Sequence, residues 1–160
     1  MRIRRAREDD HGAIWCILEP TIREGETYAL PRDMSKASAL AYWMGPDRET
    51  FVAESDRNVL GTYYIRPNQL GGGAHVANCG YATALEATGR GIARAMCEHS
   101  LIYAREKGFR AMQFNFVVST NDRAVRLWLN LGFEVVGRLP LAFNHPKAGY
   151  TDALVMFRTL

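Results

Sequence analysis

No apolar stretch in these 160 residues approaches the ~20 needed to cross a bilayer as a helix, and Met1-Arg2-Ile3-Arg4-Arg5 leads into charge rather than a signal-peptide core. Neither a membrane span nor a secretory start is expected, and the default compartment is the cytoplasm. Cysteine is scarce: Cys16, Cys79 and Cys97 are odd in number and lack C-x-x-C spacing, which argues against a disulfide framework or a zinc site and for reduced, partly buried thiols. His11, His75, His99 and His145 also lack metal-ligand spacing, so no metal is expected. The arginines are scattered rather than gathered into a nucleic-acid arm, and the formal charge of +3 is only a mild bias toward small anionic ligands. Internal repeats, low-complexity tracts and linkers are absent.

What is present is ordinary for a globular protein: 48% apolar residues, 23% charged residues, and aromatics spread from Trp15 to Phe157. The length suits one domain spanning 1–160 with its own core.

Periodicity gives a coarse order of elements. Ile3 to Ala6 reads as a short strand, and His11 to Leu18 as a helix with Ile14, Ile17 and Leu18 on one face, stopped by Pro20. Thr21 to Pro31 reads as a loop carrying Glu24, Glu26 and Tyr28; Ser35 to Met44 reads as a second helix ended by Gly45-Pro46. Thr50 to Arg66 switches to strand period around the turn Ser55-Asp56-Arg57-Asn58, a hairpin, and His75 to Thr83 is a further strand. Arg90 to Lys107 is the clearest helix, closed by Gly108. Ala111 to Val118 alternates Met112, Phe114, Phe116 and Val118 against Gln113, Asn115 and Val117, so Asn115 falls on the more polar side of a strand. A helix capped by Thr120 or Asn121 runs to Leu131, and two last strands, Phe133 to Leu139 and Asp152 to Phe157, flank a loop containing Pro140 and Pro146.

The segment Thr83 to Arg94 carries the most chemistry: a strand end, then Thr88-Gly89-Arg90-Gly91, then an amphipathic helix. The first N–H groups of a helix have no intrahelical acceptor and the helix dipole favours anions there. Glycines that admit a phosphate therefore make a cradle for a pyrophosphate, with Arg90 and Arg94 adding charge. By itself a G-x-G is equally a tight turn. A dinucleotide fingerprint does not fit, because its third glycine falls on Arg94 and the acidic residue after the next strand is missing.

Two later features lend the loop meaning. After it come the strand to Val118 and then Asn121, Ala124, Trp128, Gly132 and Phe133 at fixed spacing. This ordered series resembles the GCN5-related N-acetyltransferase (GNAT) family, whose loop Gln/Arg-x-x-Gly-x-Gly/Ala corresponds to Thr88-Gly89-Arg90-Gly91-Ile92-Ala93 and whose helix pattern N-x-x-A-x-x-x-Y-x-x-x-G-F corresponds to Asn121 through Phe133. The resemblance covers roughly Phe51 to Phe157 and implies an α/β fold with a mixed, mostly antiparallel sheet, splayed at its centre and flanked by helices. It implies acetyl-CoA as the acetyl donor, with pantetheine along Tyr81, Ala82 and Thr83 and pyrophosphate on Gly89 to Arg94. Asn121 and Trp128 would reach the coenzyme from the following helix, and a homodimer is common in the family.

Thr88 stands where the motif has Gln or Arg, keeping a hydroxyl but losing reach. Trp128 stands where many members have the tyrosine that protonates the leaving thiolate, and an indole N–H has no such acid role. That tyrosine mechanism does not transfer to this chain. The runs Asn78-Cys79-Gly80-Tyr81, Phe114 to Asn121 and Tyr150-Thr151-Asp152-Ala153-Leu154 also resemble the branch that acetylates the proline analogue azetidine-2-carboxylate. In that branch the residues matching Asn78 and Asn115 bind or orient the acceptor. Without the resemblance, Asn78 reads as an edge or bulge hydrogen bond, Asn115 as a solvated strand residue and Asn121 as a helix cap. Glu26 and Tyr28 lie where the family builds its acceptor loop, and a solvated loop explains them as well. The expected reaction is direct transfer to the amine of a small amino acid or analogue, Asn78 and Asn115 being the candidate catalytic residues. Acetylation of a protein terminus or lysine, and a non-catalytic CoA sensor, are the competing readings.

Overall fold

The computed structural model describes residues 1–160. Its elements are β1 (Arg2–Arg5), α1 (His11–Glu24), α2 (Lys36–Trp43), β2 (Glu49–Ser55), β3 (Asn58–Pro67), β4 (Val76–Thr83), α3 (Ile92–Glu106), β5 (Ala111–Val118), α4 (Asp122–Asn130), β6 (Glu134–His145) and β7 (Gly149–Thr159). The strands form one sheet in the order β1-β2-β3-β4-β5-β7-β6. Every pairing is antiparallel except β4 with β5. This is the mixed, mostly antiparallel sheet flanked by helices that the resemblance implied.

Two prolines behave differently from expectation. Pro20 does not stop α1 but lies inside it, and the helix continues to Glu24 before Gly25, at φ 69°, ends it. The buried stripe Ile14, Ile17, Leu18 and Ile22 straddles the proline, so core packing outweighs the lost backbone hydrogen bond. The proline would leave the carbonyl of Cys16 without its helical donor, and Cys16 is exposed to water. Pro140 likewise lies within β6, so the last two strands are longer than predicted and only a short turn around Pro146 joins them. An edge strand can host a proline, and the register with β7 breaks between Leu139 and Phe143 to accommodate it. The alternation predicted for β5 slips too. A bulge between Phe114 and Val117 shifts the phase, leaving Phe116 half-buried and Val117 buried.

That bulge sits where the sheet opens. β4 and β5 are paired only at Val76–Ala111 and Ala77–Met112; beyond these residues the strands diverge. Asn78, buried at the apex, donates from Nδ2 to the Gln113 carbonyl at 3.0 Å and extends the junction by one side-chain rung. On the far side of β4, α2 is pinned by Trp43 Nε1 donating to Thr62 Oγ1 at 3.0 Å and by Thr50 Oγ1 donating to the Trp43 carbonyl at 2.9 Å. These buried bonds fix α2, which carries Tyr42 and whose Trp43 ring packs edge-on against Tyr28 at 5.8 Å between centroids.

Candidate active site

The divergence leaves a cleft of about 350 Å³ between β4 and β5, lined at one end by Tyr81, Thr83, Asn121 and Trp128 and at the other by Tyr64, Arg66, Asn78 and Asn115.

The first end is mostly backbone. From Asn78 onward β4 has a partner on its β3 edge alone, so alternate N–H and C=O groups face the gap. One of them is already engaged: Tyr28 Oη donates to the Tyr81 carbonyl at 2.8 Å. That carbonyl keeps a second lone pair. Past the strand end, Gly89 (φ 82°) and Gly91 (φ 78°) adopt left-handed backbone that other residues rarely accept, and nothing lies within 4 Å of where a Cβ would project. Gly91 is the N-cap of α3, so the amides of Ile92, Ala93 and Arg94 form its unpartnered first turn. Gly89, Arg90, Gly91 and Arg94 are exposed, leaving the mouth open, whereas the Ile92 side chain is core and contributes only its amide. Thr88 is exposed, with Oγ1 at 3.5 Å from the Ala84 carbonyl. The residues present therefore fit a diphosphate on the loop and an amide-bearing arm along β4.

Asn121 caps α4, accepting from Ala124 N at 3.3 Å, and still lines the cleft. Trp128 is buried against Tyr81 (ring centroids 5.1 Å), Phe114 (5.0 Å) and Phe133 (6.4 Å), forming an aromatic floor. Burial holds the Tyr81 hydroxyl above the usual phenol range, and it bonds Ser100 Oγ at 2.7 Å away from the gap.

The second end is made of side chains from distant parts of the chain. Asn78 also lies 3.5 Å from Arg66 Nε, and Asn115 accepts from Gln113 Nε2 at 2.9 Å while donating to Asn68 Oδ1 at 2.6 Å. Across β4 the Tyr64 ring lies over Gly80, where a Cβ would come within 2.5 Å of it. Tyr28, Tyr42 and Tyr64 complete the wall. Burial raises the phenols of Tyr28 and Tyr64 and the thiol of Cys79, so all three stay protonated in neutral solution. Cys79 is thus a poor nucleophile, and none of the cleft-lining residues is Asp, Glu, Lys or His.

Glu26 does not line the cleft. It pairs with Lys147 in the β6–β7 turn at 2.6 Å, and this contact holds its carboxyl below the usual range. The pair tethers the loop after α1 to the last hairpin. Tyr42, Tyr64 and Arg66 were not singled out from sequence. The available signal was the alternation of Tyr64 and Arg66 on the face of β3 that passes Gly80 and Asn78.

Comparison with known proteins resolves the broad class. The model of the acetyltransferase (GNAT) family matches residues 7–133. The chain belongs to the GNAT family. It is similar to N-acetyltransferase aca1 of Schizosaccharomyces pombe, with 32% identity over 111 residues, 69% of this chain and 53% of that protein. The chain thus spans about half the length of that curated relative. It is also similar to the solved structure of a GCN5-related N-acetyltransferase from Kribbella flavida, at 42% identity and TM-score 0.94 over 99% of this chain and 97% of that one. A GNAT superfamily phosphinothricin acetyltransferase from Sinorhizobium meliloti, solved in complex with acetyl-CoA, shares the fold at 22% identity and TM-score 0.86, covering 99% of this chain and 88% of that one.

Proposed function

We propose that this protein acetylates the amine of a small amino acid or amino-acid analogue, with a strained cyclic imino acid such as azetidine-2-carboxylate as the first acceptor to test. The observation that carries the reading is the cleft itself. At about 350 Å³ it lies near the lower limit of small-molecule sites, and tyrosine rings and asparagine amides line its acceptor end.

Acetyl-CoA supplies an activated thioester carbon that a neutral amine attacks directly, releasing the CoA thiol. The chain's residues contribute position and desolvation. Gly89 and Gly91, the first turn of α3 and the β4 edge hold the donor, while Asn121 and Trp128 bound its path. Asn78 and Asn115 orient the acceptor, and one amide N–H aimed at the developing oxyanion is worth about 10²–10³ in rate. With no carboxylate or imidazole lining the cleft, the amine enters neutral or loses its proton to water. With the Cys79 thiol protonated, transfer proceeds without an acyl-cysteine intermediate. A homodimer and a cytoplasmic setting belong to the same reading; sedimentation velocity and cell fractionation check them.

Thiol release from acetyl-CoA, measured against free amino acids, cyclic imino acids, peptides and polyamines, tests the function. Turnover confined to peptides would replace this reading with protein acetylation. Tight acetyl-CoA binding without turnover on any acceptor would leave a sensor.

A further inference from the structure

Arg66, next to last in β3, stands at the acceptor end of the cleft and is the only residue with a charged side chain among those lining it. It lies opposite Asn78 in the β3–β4 register, so its guanidinium is a near neighbour of the amide proposed to orient the acceptor. Its side chain is 30% exposed, which leaves it reachable from the cleft.

Its present bonds are weak ones. Arg66 Nη1 lies 3.3 Å from Asp47 Oδ2, and Asp47 is itself half-exposed. Asp47 is better served by Arg48, which reaches it through Nε at 2.9 Å and Nη2 at 3.2 Å. Arg48 is in turn fixed between the rings of Tyr42 and Tyr64, at 5.0 and 4.7 Å from their centroids. The two contacts from Arg48 hold the Asp47 carboxyl below the usual range. Arg66 therefore shares an anion that another cation already holds, and an exposed pair of this kind contributes little. A guanidinium offers five donors in a planar fork that matches a carboxylate with two parallel bonds. Most of the Arg66 fork is uncommitted.

We propose that Arg66 is the specificity residue of the acceptor site, receiving a free α-carboxylate. This rests on the proposed function and narrows it: the acceptor is an anionic α-amino or α-imino acid, not an amide, a peptide terminus or a polyamine. The placement is chemically coherent. In an α-amino acid the carboxylate carbon and the amine share one carbon, so a carboxylate held at Arg66 sets the nitrogen beside Asn78. The absence of Asp and Glu from the cleft lining argues the same way, since a cationic acceptor would find no counter-charge there.

The test compares azetidine-2-carboxylate, its primary amide and azetidine itself as acceptors, with saturating acetyl-CoA and thiol release as readout. The parent enzyme is expected to prefer the acid over the amide by about 30-fold or more in kcat/KM. Arg66→Gln should bring that ratio to within about threefold, chiefly by raising KM for the acid, and Arg66→Lys should restore part of it. Asp47→Asn removes the competing anion and should lower KM for the acid, which keeps the assignment testable if Arg66→Gln does not fold. Equal parent rates on acid and amide, an unchanged ratio in Arg66→Gln, or a raised KM in Asp47→Asn would overturn the assignment while acetyl transfer to small amines stands. If none of the three compounds, nor any free amino acid, is acetylated by enzyme that binds acetyl-CoA, the proposed function falls and Arg66's role with it.

Discussion

The two ends of the cleft are built from different materials. The donor end is backbone: left-handed Gly89 and Gly91, the first turn of α3 and an unpaired stretch of β4. The acceptor end is side chain: Tyr28, Tyr42, Tyr64, Arg66, Asn78 and Asn115, drawn from α2, β3, β4, β5 and a loop. Backbone donors are shared by every sequence that adopts the fold, so such a site tolerates drift and suits the cosubstrate proposed for it. Side-chain donors change one residue at a time, so the acceptor end is where members of one fold can part company.

The steepest expected effect concerns the proton rather than a residue. Burial raises the thiol of Cys79 and the phenols of Tyr28 and Tyr64, so these groups hold their protons and none gains a basic form in neutral solution. Contact with Arg48 lowers Asp47, which stays ionised there. The acceptor amine is then the group whose ionisation matters, and kcat/KM should climb about tenfold per pH unit below the amine's own pKa. A plateau near pH 7, measured with excess acetyl-CoA, would mean that an enzyme base had been overlooked at the acceptor end.

Next come the side chains of that end. Asn78→Ala and Asn115→Ala should each lower kcat by about 10²-fold with little change in acetyl-CoA affinity, and stopped-flow binding alongside steady-state rates separates the two. Variants matching the parent on its best acceptor would return both asparagines to structural duty.

At the donor end Gly91→Val should weaken acetyl-CoA by about tenfold or more through backbone strain at φ 78°. Calorimetry reads this directly, and unchanged affinity would show that the cradle is not where the diphosphate sits. Tyr28→Phe bridges the two regions. Loss of its bond to the Tyr81 carbonyl should cost about 1 kcal/mol of stability, readable in urea, while freeing an acceptor for the coenzyme arm. The smallest effect is expected from Lys147→Ala. Its partner Glu26 lies outside the cleft and Lys147 is highly exposed, so acceptor KM should move less than about threefold.

The legible and illegible parts of the molecule divide along the same boundary. The strand end at Thr83, the glycines before α3, the cap at Asn121 and the mixed sheet were readable because each rests on neighbours in the chain or on a motif of fixed spacing. Pro20 and Pro140 misled because their cost is local and fixed, whereas the burial around α1 and the edge position of β6 are not local properties. The pairing of Glu26 with Lys147 was illegible for a similar reason: the two lie far apart along the chain.

The sequence by itself determined the family, the element order and the open glycine turn before α3, since a helix start needs only a few consecutive residues to be correctly placed. Tertiary structure alone decided that β4 and β5 part after two paired residues, that a bulge follows Phe114, and that Arg66, Tyr64 and Tyr42 meet Asn78 and Asn115. Those meetings join segments dozens of residues apart, and the packing of α2 and the branching of the sheet bring them together. No short window of the chain contains that information.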